Sequence, residues 1–217
     1  MNEHLLKLLE ESALAVNASL DQRALALLDG YYRELLMWNE KMNLVSFRTP
    51  EELIIKHFVD SLTPLPYLAR PQGRLLDIGS GGGFPGIPLQ IACPGLHVSL
   101  LEASRKKSSF LKHLLRRLPL EQAGVIHARV ESVMNSQTYC RQFDTVVSRA
   151  AFKLSLLQKM GLFFLAPGGL LIAMKGPRSE ADEDENPGLI LRRIACHDVC
   201  LPRREGQRKI IIYQADK

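Results

Sequence analysis

The twelve residues from Leu75 to Gly86, Leu-Leu-Asp-Ile-Gly-Ser-Gly-Gly-Gly-Phe-Pro-Gly, constrain the fold more than any other stretch of the chain. An apolar run of strand character reaches Asp77 and Ile78, and glycine then stands at positions 79, 81, 82, 83 and 86. A plain strand-turn-helix needs one glycine. Several in a row leave the backbone bare, so a ligand can approach it without meeting side chains. Open α/β sheets bind their ligands at such loops, beyond the C-terminal ends of the strands.

The surrounding pattern agrees. After Pro71-Gln72-Gly73, short apolar runs alternate with helical ones. Strands are predicted over 74–78, 97–101, 124–128, 145–148, 169–175, 195–201 and 210–214. Helices are predicted just after the glycine loop, over 104–118 with Ser104 as cap, and over 152–165. Such alternation means a mostly parallel seven-stranded sheet with helices on both faces, and the last two strands make an antiparallel C-terminal edge. Arg203 to Gln207 link that final hairpin, and 178–188 reads as a polar, mobile loop.

Residues 1–70 read instead as helical. Leu5, Leu6, Leu8, Leu9 and Leu14 fit one amphipathic helix, and Leu25, Leu28, Tyr32, Leu35 and Leu36 a second. Thr49-Pro50-Glu51-Glu52 starts a third, with Thr49 as cap, Pro50 in the first turn and Glu52 closing a capping box; it runs to about Leu62. The expected organisation is a helical N-terminal extension, 1–70, and a Rossmann-like α/β domain, 71–217.

No apolar run reaches the roughly 18 residues of a membrane span. The first residues carry Glu3, Glu10 and Glu11 rather than a basic leader, so a cytoplasmic protein is expected. Cys93, Cys140, Cys196 and Cys200 form no CxxC pair, so they are expected to be buried thiols and no metal site is expected. Net charge is +5, although Glu180, Asp182, Glu183, Asp184 and Glu185 crowd five acids into one short stretch. A basic body suits a polyanionic partner.

Two cofactor classes use glycine loops. Gly81 to Gly86 matches the dinucleotide pattern G-x-G-x-x-G, but Asp77 opens D-x-G-x-G-x-G. A carboxylate there repels a pyrophosphate and suits an ammonium. S-adenosylmethionine carries an ammonium and no phosphate. Glu102, at the end of the second predicted strand, can accept both ribose hydroxyls of either cofactor. Arg129-Val130-Glu131 follows the third strand, where an adenine would lie. Ser148-Arg149-Ala150-Ala151 follows the fourth, where an acceptor would meet the methyl group; it offers neither an amine-type motif nor a cysteine. The acceptor therefore needs neither covalent catalysis nor deprotonation. A nucleotide-dependent oxidoreductase, a methyltransferase acting on another RNA or a small molecule, and a non-catalytic RNA-binding module are the alternatives.

Several segments together make the chain resemble the bacterial small-subunit ribosomal RNA guanine-N7 methyltransferases, the glucose-inhibited division protein B family. They are Trp38-Asn39 with Asn43-Leu44-Val45-Ser46, His57 to Leu62, Asp77 to Pro88, Leu101-Glu102-Ala103 with Lys106-Lys107, Ala128 to Glu131, Ser148-Arg149-Ala150, Met174-Lys175-Gly176 and Arg208-Lys209-Ile210. Gly82 stands where some members have proline. The resemblance implies a class I S-adenosylmethionine-dependent fold. It also implies methylation of guanine N7 in the helix-18 loop of 16S ribosomal RNA; a small-subunit particle is the expected form of that RNA and a monomer the expected state of the chain. By matching position, Gly79, Gly81, Phe84, Val130, Glu131 and Arg149 join Asp77 and Glu102 at the cofactor, and Arg129, Arg149 and Arg208 are implied in catalysis or RNA contact.

His57 and Asp60, three apart on a helix, read as a hydrogen-bonded structural pair in preference to a general-base dyad. Asn39 and Asn43 either cap a helix or line the base pocket, and Trp38 reads as core. Of the basic clusters, the hairpin around Arg203, Arg204, Arg208 and Lys209 is expected to meet phosphates, ahead of Arg105 to Lys107 and Lys112 to Arg117.

Overall fold

The computed structural model describes residues 1–149, 151–177 and 191–216. The segment 178–188, its acidic stretch and Ala150 lie outside the described residues. Helix α1 (Glu3–Ala15) begins where the Asn2 side chain accepts from the Leu5 amide, and α2 (Gln22–Met42) where Asp21 accepts from that of Ala24. Asn43 ends α2 in the left-handed conformation and Asn39 accepts from the Val45 amide, so both asparagines shape the helix end. Leu14 breaks the expected stripe: it is 58% exposed, because Ala13 takes the inward position one turn after Leu9.

The helix expected over 51–62 forms with a change of pitch. Helix α3 (Pro50–Leu53) runs into a π turn (Ile54–Val59) and then α4 (Asp60–Leu62). Thr49 caps as expected, accepting from the Glu52 amide at 3.1 Å, but Glu52 reaches back to the Arg48 amide at 2.7 Å rather than to that of Thr49.

Strands β1 (Arg74–Ile78), β2 (His97–Glu102), β3 (Ala123–His127), β4 (Phe143–Arg149), β5 (Leu165–Lys175), β6 (Arg192–Cys200) and β7 (Gln207–Gln214) form one sheet in the order β3-β2-β1-β4-β5-β7-β6. The pairs among β1 to β5 are parallel. β7 inserts antiparallel between β5 and β6, so the hairpin is antiparallel as expected while its first strand forms the edge. β5 starts four residues before its predicted start, running through the Pro167-Gly168-Gly169 turn.

Both faces of the sheet are covered, which is why its central strands read as continuous apolar runs. Neighbours on β1 separate by period two: Leu75 joins the core under α1, α2, α5 (Gly86–Ala92) and α6 (Arg105–Arg117), whereas Leu76 joins the core under α7 (Val130–Met134) and α8 (Leu154–Phe164). The helices of the first 70 residues thus complete one face of the sheet. The expectation of buried thiols fails. Cys196 and Cys200 are exposed on β6, and Cys93 and Cys140 are half-buried. Among the described residues, no helix is long and apolar enough to cross a membrane.

Candidate active site

β1 lies between β2 and β4, and the chain builds outward in opposite directions from that pair. A crevice must open beyond their C-terminal ends. Among the described residues two clefts lie there, one at the glycine loop and one around Arg149 at the end of β4.

The first, of about 310 Å³, is walled by Gly79, Glu102, Arg129, Val130, Glu131 and Phe152. Gly79 and Gly81 hold φ of +77° and +57°, which a side-chain-bearing residue would adopt only under strain. Glu102 works structurally as well. Its Oε2 accepts from the Gly81 amide at 2.8 Å and its Oε1 from that of Ser104 at 2.7 Å, tying the loop to the start of α6. Each carboxylate oxygen keeps a second lone pair for a ligand. Val130 and Glu131 open α7, with Arg129 as its exposed N-cap residue.

Asp77 is fully buried and lines neither cleft. Its Oδ2 accepts from the Gly86 amide at 3.0 Å, at the start of α5, whereas Oδ1 has no hydrogen-bond partner. Burial pushes its carboxyl up to about 7, against the hydrogen bond from the Gly86 amide, while the Ser80 hydroxyl donates to the Asp77 backbone carbonyl at 3.0 Å. The sequence places this carboxylate against a ligand; the fold places it behind the loop, with one acceptor unspent.

The second cleft, of about 470 Å³, is lined by Lys56, His57, Asp60, Arg149, Met174, Lys175, Gly176 and Arg208. Asp60, 1% exposed, gathers two arginines: Arg149 Nη1 at 3.4 Å, and Arg208 Nε at 3.1 and 3.2 Å. Arg149 also donates to the Lys56 carbonyl in the π turn, at 3.1 Å, and its guanidinium lies 5.1 Å from the centre of the Phe84 ring. Phe84 is 3% exposed, stacked on Tyr31. It serves as the floor under Arg149. Tyr31 in turn donates to the Gly82 carbonyl, so α2 holds the glycine loop from behind.

His57 and Asp60 do not pair, and both readings of them as a couple are corrected. Asp60 turns to the arginines. His57 Nε2 lies 3.2 Å from the Ser46 carbonyl and Nδ1 lies 3.3 Å from Arg149 Nη2. Only the Nε2–H tautomer suits both contacts, with Nδ1 accepting. Burial, and then the Arg149 charge, lower this imidazole to about 4.

The three arginines implied in catalysis therefore divide: Arg149 and Arg208 share Asp60, while Arg129 stands on the far wall of the first cleft. Four participants went unread in the sequence. Tyr31 is hidden in an apolar stripe. Phe152 follows β4 without a motif of its own. Lys175 was visible only within Met174-Lys175-Gly176; its amine donates to the Phe152 carbonyl, at the boundary of the two clefts. The Lys56 carbonyl is a backbone group that no side-chain pattern reports.

This architecture has named relatives. A family model described as rRNA small subunit methyltransferase G matches residues 24–202. The Ribosomal RNA small subunit methyltransferase G of Syntrophus aciditrophicus (strain SB) is 42% identical over 215 residues, covering 96% of this chain and 88% of that protein. The protein of the same name from Geotalea uraniireducens (strain Rf4) is 44% identical over 185 residues, covering 85% and 83%. Among solved structures, the O-methyltransferase from Bacillus cereus in complex with SAH superposes with a TM-score of 0.57 at 16% identity, covering 86% of this chain and 90% of that one, which is a likeness of fold. With its family model matched over most of its length, the chain belongs to the rRNA small subunit methyltransferase G family.

Proposed function

We propose that this protein transfers a methyl group from S-adenosylmethionine to N7 of a guanine in the helix-18 loop of 16S ribosomal RNA, acting in the cytoplasm as a monomer on a small-subunit particle. The observation that carries the reading is the pairing of the two clefts. A bare glycine loop faced by Glu102 adjoins a cationic cleft built on Arg149, at the crevice where the strand order reverses.

The residues fit the cofactor. Glu102 would take the ribose hydroxyls, Val130 and Glu131 would hold the adenine, and Gly79, Gly81 and Arg149 the amino-acid end. The partnerless Oδ1 of Asp77 is a buried acceptor that an ammonium would satisfy once the loop over it shifts or a water relays the contact. The Gly81 amide, spent on Glu102, is not free for a pyrophosphate, which disfavours a dinucleotide. Bound there, S-adenosylmethionine supplies a methyl group activated by its sulfonium.

The chain's part is placement. Guanine N7 carries a free lone pair at neutral pH, so no proton must leave before attack. His57 matches that requirement: it is neutral, with Nδ1 engaged by Arg149, and positions the arginine rather than acting as a base. Holding two reactants in line and excluding water supplies on the order of several kcal/mol. The test is to incubate 16S RNA, free and in small-subunit particles, with labelled cofactor and protein, then extract the RNA and cleave chemically at N7-methylguanine. Label that resists this cleavage would move the methyl group to another atom.

A further inference from the structure

We propose that the outward face of α6 is a second docking surface for the RNA substrate, gripping backbone phosphates away from the reacting base. This rests on the reading that the substrate is RNA. Within α6, Arg105, Ser109, Lys112 and Arg116 are spaced 4-3-4 and are all exposed, opposite the face that buries Phe110, Leu111 and Leu114. The stripe is about 16 Å long at the helical rise per residue. It is cationic or neutral throughout, and the whole helix, Arg105–Arg117, contains no acid.

Two further observations separate this stripe from an ordinary solvated face. First, the helix breaks the electrostatic rule for its own stability. Arg105, Lys106 and Lys107 occupy its first turn, where the helix dipole favours acids. A sequence that sets local preference aside is expected to do so for function. Second, among the described residues the three cations of the stripe have no ion pair, whereas cations beside the stripe and in the late hairpin do. On the flank of α6, His113 and Arg117 are held by Glu34. In the hairpin expected to meet phosphates, Arg208 is spent on Asp60 and Lys209 on Asp198 at 3.2 Å. Lys56 beside that hairpin is held by Glu52 and Glu205.

The placement suits a strand that passes through the catalytic crevice. Glu102 and Ala103 line the first cleft, Ser104 caps α6, and the stripe begins at the next residue. A nucleotide held in the second cleft would lie at the same end of the sheet. Flanking RNA crossing the rim would meet Arg105 first and could follow the stripe down the side of the molecule. Point charges on flexible stems suit phosphates and carry no sequence preference, so the stripe adds affinity and register.

The test compares wild type, the triple variant Arg105→Gln/Lys112→Gln/Arg116→Gln, and the control Lys7→Gln/Arg33→Gln, which removes cations already paired with Glu11 and Asp29. Each is titrated with 16S RNA over a series of salt concentrations and assayed for methylation of that RNA, free and in small-subunit particles. The triple variant should lose about tenfold or more in RNA affinity and about 2–3 units of slope in log affinity against log salt, near the expectation for three lost phosphate contacts. Its cofactor affinity should be unchanged and its melting temperature about unchanged, because α6 loses an unfavourable cation from its first turn and a favourable one, Arg116, from its last. The control should match wild type. Wild type that methylates 16S RNA while the triple variant keeps its full affinity and salt slope overturns the docking surface. Wild type that methylates 16S RNA neither free nor in small-subunit particles sinks the substrate reading and the surface with it.

Discussion

Asp77 holds the clearest titration signature in the site. Its carboxyl is pushed up to about 7 by burial, with Oδ1 unpartnered. An ammonium placed against the ionised form would release the proton, so cofactor affinity should rise with pH and level off above about 7. Asp77→Asn should abolish that rise. Calorimetry between about pH 5.5 and 8 checks it, and a pH-independent wild-type affinity would detach Asp77 from the ligand. In the free protein the same group stabilises the fold fully below its ordinary value of 3.8, and that contribution is lost as pH rises towards about 7. His57 has the opposite sign. Its folded value of about 4 lies below the ordinary 6.5, so its contribution is complete above 6.5 and is lost as pH falls towards 4. Neutral throughout the working range, His57 should leave the single-turnover rate flat from about pH 6.5 to 9. A rate that climbs tenfold per pH unit to a plateau, and that His57→Ala abolishes in folded protein binding both substrates, would make it the base. Glu102→Ala should weaken cofactor binding by roughly 1–3 kcal/mol, since a charge-assisted acceptor is lost and the Gly81 amide is set loose. The place of Glu102 at a strand end, from which the ribose role is proposed, was readable in the sequence. Its grip on Gly81 was not, because the two meet only when the fold brings β1 and β2 side by side.

At the scale of elements, the N-terminal helices belong to the framework of the glycine loop, because α2 holds it from behind through Tyr31. Burial raises the Tyr31 hydroxyl well above 10, so it remains a donor to the Gly82 carbonyl at every working pH. Tyr31→Phe should cost roughly 1 kcal/mol in urea unfolding and weaken the cofactor, although the residue lines neither cleft. An unchanged cofactor affinity would show that the loop holds its shape without α2. Gly83 has φ +100°, and a Cβ there would lie 2.8 Å from Ile87 Cγ1 and 2.9 Å from the Tyr31 hydroxyl. Gly83→Ala should therefore destabilise by about 1–3 kcal/mol, the scale of a side chain forced into a strained backbone. Gly124→Ala, with nothing within 4 Å, should stay within about 0.5 kcal/mol. Equal losses at the two positions would contradict the packing. The strands were legible because apolar runs bounded by glycine and proline report themselves locally. The π turn was not: an extra residue in a helical turn leaves the apolar spacing intelligible as an ordinary helix. The insertion of β7 between β5 and β6 is a long-range choice that no local pattern carries.

For the whole molecule, the reversal of strand order at β1 and β4 decides where everything else must gather. It puts the glycine loop, Glu102 and the α7 start on one side, and Arg149 with Asp60 and Arg208 on the other. The motifs disclosed the first group, because each of its members follows a strand directly. They disclosed Arg149, Arg208 and Asp60 as separate residues, since the carboxylate joining them is 89 and 148 positions away in the chain. Asp60→Ala would leave two guanidinium groups facing one another without an anion. A loss of about 3 kcal/mol in stability is expected, at the lower end for a broken buried pair because both arginines keep some exposure. The proposed function requires that the paired clefts deliver a methyl group to guanine N7 in 16S RNA. The most direct measurement maps N7-methylguanine along 16S RNA from cells with and without this protein, and then from the deficient small subunits after treatment with purified protein and cofactor. The account predicts one N7-methylguanine in the helix-18 loop, absent without the protein, restored by it, and not restored by Arg149→Ala. An identical map in both cell types, or restoration at a different atom, would contradict it.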